Sequence, residues 1–150
     1  MEIDVARLKA DWAGREFDAK QFEIGLEAAL EFARACGETD PRFTDPAHPH
    51  FRAPDTFTAG FTGGRIFPEE LQPLLRRGFP FDAGKRVEPL APIRPGDRLV
   101  GHSQIHDVYE KTGRSGSMLF LVHRMTFTNQ DDRVVSIVDW RMVVRNPKDA

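Results

Sequence analysis

Four stretches in the second half of the chain, Lys85 to Leu90, Asp97 to Lys111, Ser117 to Thr128 and Arg133 to Arg145, are dense in Val, Ile, Leu, Phe and Thr. Turn chemistry separates the later ones: Pro95-Gly96-Asp97, Thr112-Gly113-Arg114-Ser115-Gly116 and Asn129-Gln130-Asp131-Asp132. Branched and aromatic side chains between such turns predict long antiparallel strands in a meander. Val134, Ser136, Val138, Trp140, Met142 and Val144 share one face by period two, and Leu119, Leu121, His123, Met125 and Phe127 do likewise. An apolar face of that length needs a cover. The strongest helical signal in the chain, GLEAALEFARACG, supplies one, with Leu26, Ala29, Leu30 and Ala33 on one face and Gly37 ending it where positive φ is cheap. One apolar helix followed by long strands is an α+β order, and wrapping a curved antiparallel sheet around the helix buries both.

The remaining chain reads as connection and extension. Asp4 as N-cap, Val5, Leu8 and Trp12 on one stripe and Gly14 as a stop predict a short amphipathic helix, so residues 1–16 form an N-terminal helical extension of a single 1–150 domain. A brief extended stretch follows at Gln21 to Ile24. Asp40-Pro41, Asp45-Pro46, His48-Pro49 and Ala53-Pro54 mark Glu38 to Pro54 as a long ordered loop, a common place for function. Helical turns are expected over Thr56 to Thr62 and from Pro68 to Gly78, the latter interrupted by Pro73.

Charge and composition exclude several classes. Lys plus Arg is 21 and Asp plus Glu 23, a net charge of −2, which leaves no basic footprint for nucleic acid. No apolar run approaches the roughly 20 residues of a bilayer span, and the start lacks the apolar core of a signal peptide. The single cysteine, Cys36, excludes an internal disulfide and fits a reducing compartment, so the expected location is cytoplasmic, away from membranes.

Taken in order, the helix, G-E-T-D-P-R-F-T-D, the proline-rich loop, A-P-D-T-F, P-I-R-P-G-D-R-L, V-Y-E-K-T-G-R-S-G and T-F-T-N-Q-D resemble the MaoC-like hot-dog dehydratases, and more narrowly the N-terminal MaoC-like half-domain, over about residues 17 to 145. The resemblance implies a hot-dog fold that works as a pair of units. It further implies (R)-specific hydration of enoyl thioesters, or dehydration of 3-hydroxyacyl thioesters, on coenzyme A or acyl carrier protein, without metal or redox cofactor. Active members carry G-D-x-N-P-x-H and a glycine whose amide steadies the thioester oxyanion, since hydration needs two groups on one water and a donor at the carbonyl oxygen. Matched residue by residue, Gly37 and Pro41 agree, Glu38 stands for Asp, Asp40 for Asn and Phe43 for His. Pro54 falls at the oxyanion glycine, and proline has no N–H to give.

The resemblance therefore implies the non-catalytic half of a paired dehydratase, a partner-dependent subunit forming a heterodimer or heterotetramer with a second MaoC-like unit, or else a homodimer. An acyl-thioester hydrolase on the same architecture and a non-enzymatic acyl-thioester binding module are the rivals. Catalytic candidates are Glu38, Asp40 and His50, with His48 beside it, against loop histidines, a solvated Glu38 and an Asp40 that caps the next turn. Phe57 and Phe61 are candidates for an acyl channel or for plain core, and Arg65 and Arg86 for the phosphates of coenzyme A or for a solvated face. Cys36 reads as a small buried hydrophobe, Gly63-Gly64 as a helix break. His102 and His106 lack a carboxylate at metal-ligand spacing, so no metal is expected.

Overall fold

The computed structural model describes residues 3–114 and 116–145. Ser115, at the turn expected between the second and third long strands, lies outside the described residues, as do both ends of the 1–150 domain. Among the described residues, nine α-helices and strands follow one another: α1 (Val5–Trp12), β1 (Glu16–Glu23), α2 (Leu26–Ala35), α3 (Pro41–Thr44), α4 (Gln72–Leu75), β2 (Phe79–Pro89), β3 (Arg98–Gly113), β4 (Gly116–Thr128) and β5 (Val134–Arg145). Single 3-10 turns at Phe57–Gly60 and Glu69–Leu71 replace the longer helices expected there, with Pro73 seated in the first turn of α4 where its missing N–H costs nothing.

The five strands form one antiparallel sheet in the order β1-β3-β4-β5-β2. Only β3, β4 and β5 form a meander; the chain crosses over to lay β2 against the far side of β5, and β1 closes the other edge against β3. Two strands are longer than the sequence pattern suggests. β1 reads EFDAKQFE and β2 begins with Phe79-Pro80, a charge-rich and a proline-bearing segment respectively, and both compositions belong to sheet edges.

The period-two rows fall on one face of the sheet, where two adjoining clusters bury most of them; the exception is Val134, which a bulge opposite Phe127 and Thr128 leaves 37% exposed while Val135 enters the core in its stead. In one cluster, Met125, Phe127 and Val138 meet Ala29 of α2, Ala53, Phe57 and Leu99. In the other, Leu119, Leu121 and Val144 meet Trp12 of α1, Phe67, Leu71 and Leu74. α2 lies close because Ala29 and Ala33 are fully buried, whereas Leu26 stays 39% exposed, so the helix face is narrower than its apolar residues imply. Gly37, at φ 70°, ends α2, and Glu38 N–H donates to the Ala33 carbonyl at 3.0 Å. Asp4 caps α1 by accepting from the Arg7 amide at 2.9 Å. No helix among the described residues is long and apolar enough to cross a membrane.

Phe127 is fully buried where α2, the Phe57 turn and the sheet meet, with the Phe61 ring 5.8 Å and the Phe22 ring 5.9 Å away. Phe127→Ala is expected to lower the unfolding free energy by about 3–5 kcal/mol in urea melts, with the m-value unchanged. A loss under about 1 kcal/mol would contradict the placement of this ring at the junction of the covers.

Candidate functional site

The segment after α2 is shaped by local capping. Asp40 accepts the Arg42 amide at 2.9 Å as N-cap of α3, and its carboxylate also takes Nε and Nη2 of Arg42 at 2.9 and 2.6 Å. The Arg42 guanidinium, followed by the Arg42 amide, holds the Asp40 carboxyl down to about 2. A carboxylate so engaged is a poor base near neutral pH. Phe43 points inward, 8% exposed, with the guanidinium groups of Arg42 and Arg52 at 5.6 and 5.4 Å from its ring centre.

Beyond it, Asp45 accepts the Ala47 amide at 2.9 Å, and the His50 amide donates to His48 Nδ1 at 3.1 Å. The His48 and His50 rings stand 5.9 Å apart, and His50 is exposed. Glu38 is half-buried at the helix end, whereas Cys36, expected to be buried, caps the helix and is exposed. Pro54 is buried, and its carbonyl accepts the Phe57 amide at 2.9 Å to start the 3-10 turn. The hollow touching Pro54 measures about 10 Å³, room for about one water. The fold thus gathers Glu38, Asp40, Phe43 and His50 along one stretch of chain, yet no hydrogen bond joins the side chains of Glu38, Asp40 and His50.

The two phenylalanines named for substrate divide between core and cavity. Phe57 is 5% exposed, edge-on to Phe32 at 5.4 Å and to Phe61 at 5.0 Å. Phe61 stacks on Phe22 at 4.7 Å and lines a cavity of about 80 Å³ with Ile66, Lys85, His123, Met125 and Trp140. Arg65 is tied to β1: its guanidinium donates to the Phe17 carbonyl and lies 3.9 Å from the Asp18 carboxylate. Arg86 sits on β2, at the opposite edge of the sheet, with Glu88 at 3.3 Å. The two arginines are therefore not brought together. Gly63-Gly64, expected as a helix break, is a close approach of backbone to β1. The Gly64 amide donates to Asp18 Oδ2 at 2.7 Å, and a Cβ on Gly63 would meet that oxygen at 2.8 Å. His102 Nδ1 faces Glu16 at 3.2 Å, and a bulge between Ile105 and Asp107 leaves His106 out of register.

His123 is the residue whose importance the sequence conceals, because it occupies one slot in an apolar row. It is 4% exposed, between the rings of Phe17 at 5.5 Å and Phe67 at 5.9 Å, and its Nε2 has no hydrogen-bond partner. Burial holds its pKa down to about 4; the charge of Lys85 adds to this, while Asp18 and Asp139 oppose it. The ring is neutral in the folded protein at neutral pH.

The family model described as FAS1-like, dehydratase domain region matches residues 11–138. A UPF0336 protein of Streptomyces coelicolor is 31% identical over 101 residues, covering 61% of this chain and 67% of that protein. Among solved structures, a chain of the ChsH1-ChsH2 complex from Mycobacterium tuberculosis aligns with TM-score 0.67 at 19% identity, over 97% of this chain and 91% of that one. The C-terminally truncated HadBC (3R-hydroxyacyl-ACP dehydratase) complex of the same organism gives TM-score 0.61 at 23% identity, over 95% of this chain and 99% of that one. A MaoC-like dehydratase from Rhodospirillum rubrum gives 0.59 at 23%, over 91% and 94%. The α+β hot-dog fold implied by the resemblance is the fold of this chain.

The buried imidazole makes stability depend on acid. The unfolded chain binds a proton at His123 near pH 6.5 and the folded chain only near 4, so this contribution is intact above 6.5 and is lost as pH falls from 6.5 towards 4. The full loss amounts to about 3 kcal/mol, by the conversion of pKa difference to free energy. Urea midpoints between pH 7 and 5 are expected to fall in the wild-type chain and to fall less in His123→Phe; equal slopes would show that the ring titrates freely.

Proposed function

The chain belongs to the family described as FAS1-like, dehydratase domain region, and from that premise we propose that it is one subunit of an (R)-specific enoyl-thioester hydratase or 3-hydroxyacyl-thioester dehydratase. On this reading it is the half that shapes the acyl channel, and a signature-bearing hot-dog partner supplies the acid and base. Hydration adds the water oxygen at C3 of the enoyl group and a proton at C2, which requires a base on the water, an acid behind it and a donor on the thioester oxygen. One observation carries the proposal. The place for the histidine is filled by a buried Phe43 between two arginines, while Asp40 beside it is saturated by Arg42.

Two further features support the same reading. Pro54, at the place of the oxyanion donor, has no N–H, and the hollow it borders has room for about one water. Among the described residues, β2 is hydrogen-bonded only on its β5 side, and it carries Phe79 at 72% and Phe81 at 38% exposure, a free strand edge with apolar side chains. Such an edge is suited to continuing the sheet into a second subunit. A heterodimer or heterotetramer with the signature-bearing unit is the assembly proposed, in preference to a homodimer. The substrate is an acyl thioester of coenzyme A or acyl carrier protein, and the chemistry calls for no metal or redox cofactor.

Loss of enoyl absorbance on mixing the pure chain with crotonyl-CoA is expected to stay at background. Adding a hot-dog subunit with an intact G-D-x-N-P-x-H is expected to raise the rate roughly 100-fold or more above the sum of the separate chains, the usual scale of acid-base catalysis. Strong hydration by the lone chain sinks the proposal. Release of free thiol from acyl-CoA by the lone chain assigns it to thioester hydrolysis instead.

A further inference from the structure

The cavity of about 80 Å³ beside His123 lies under the segment from Phe61 to Ile66, which β1 holds down through side chains. Phe61 stacks on Phe22, Lys20 Nζ donates to the Thr62 carbonyl at 3.3 Å, and Asp18 accepts the Gly64 and Arg65 amides at 2.7 and 3.2 Å. Phe61, Ile66, Met125 and Val138 give the cavity apolar walls, and the Thr62 hydroxyl with three nitrogen-bearing side chains, Lys85, His123 and Trp140, interrupts them. Lys85 Nζ donates to the Ala59 carbonyl at 2.8 Å and stands 5.1 Å over the Trp140 ring, so two of its three N–H bonds are uncommitted.

Carboxylates in this neighbourhood are engaged elsewhere. Asp18 is taken by the Gly64 and Arg65 amides, Asp82 by the Gly84 amide at 2.6 Å, and Asp139 by the Arg124 guanidinium at 2.7 and 2.8 Å. Among the described residues, no carboxylate forms an ion pair with Lys85. The sealed Nε2 of His123 favours the tautomer with its proton on Nδ1, because a buried N–H without a partner costs more than a buried lone pair. The cavity is therefore lined by donors, one of them charged, in otherwise apolar surroundings. The complement of that lining is a compact anionic acceptor on an aliphatic body.

We propose that this cavity binds the carboxylate end of a short aliphatic chain, with Lys85 as its counter-ion and His123 as a neutral hydrogen-bond donor. Two sources share this chemistry: a free short-chain carboxylic acid, and the far end of an acyl thioester whose chain ends in a carboxylate. The inference stands on the cavity alone. It does not rest on the dehydratase reading, because binding is measured on the single chain without a partner or turnover.

The test is a titration followed through the two indole N–H signals in ¹H–¹⁵N spectra, Trp140 at the cavity and Trp12 as an internal reference. The probes are butyrate, 1-butanol, and the N-acetylcysteamine thioester of succinate. Butyrate or the succinyl thioester is expected to shift the Trp140 signal saturably while leaving Trp12 in place, and whichever binds more tightly identifies the source. Lys85→Met is expected to weaken that binding about tenfold or more and Lys85→Arg to restore most of it, as a charge-assisted bond requires. Lys85 lies on an exposed edge strand, so neither variant threatens the fold. No saturable shift with either carboxylate, equal binding of 1-butanol, or unchanged binding in Lys85→Met overturns the proposal; the first of these leaves the cavity to water.

Discussion

Everything in this chain follows from the need to cover one long apolar face of a twisted sheet. A five-stranded sheet presents more such surface than a ten-residue helix can bury, since α2 spans only Leu26–Ala35. The chain divides the task. α2 covers the end near Phe127 through two alanines, and the Trp12 helix with the turns carrying Phe67, Leu71 and Leu74 covers the end near Leu121. The cavity beside His123 lies where the Phe61–Ile66 segment bridges these covers. Its position is a consequence of the division, because a bridging segment without ladder hydrogen bonds packs less closely than a helix or a strand.

The sequence makes the face legible and its edges obscure. The alternation Leu119, Leu121, His123, Met125, Phe127 survives intact because a register slip would turn the whole row to solvent. Edge strands are under the opposite pressure. β1 carries Glu16, Asp18, Lys20 and Glu23, and β2 carries Pro80, Asp82, Lys85 and Arg86, residues that discourage unwanted pairing and also erase the strand signal. Leu26 misleads for a related reason: periodicity reports which residues share a helix face, but the width of the contact depends on how close the sheet comes. Here the alanines bring it close, and Leu26 is left outside.

At the candidate site, local and tertiary information part company. The turn chemistry of Asp40-Pro41 is visible in the sequence, and the structure shows Asp40 as both cap and ion-pair partner. That Phe43 is buried and Pro54 faces a hollow of about 10 Å³ follows from tertiary packing, which spacing alone does not encode. His123 is the reverse case. Its residue type is compatible with many roles, and only the surrounding rings of Phe17, Phe67 and Trp140 turn it into a buried neutral imidazole.

The proposed pairing and the saturated α3 region bear on one another through geometry. A catalytic site held entirely within one chain would need its water, base and oxyanion donor to converge in a space larger than the hollow at Pro54. Placing the acid, base and donor on a second subunit removes that requirement from this chain and frees Asp40, Arg42 and Phe43 to be used for packing. On the proposed pairing, a carboxylate with both oxygens on a guanidinium, and a phenylalanine beside two arginines, hold positions that need carry no reactive group.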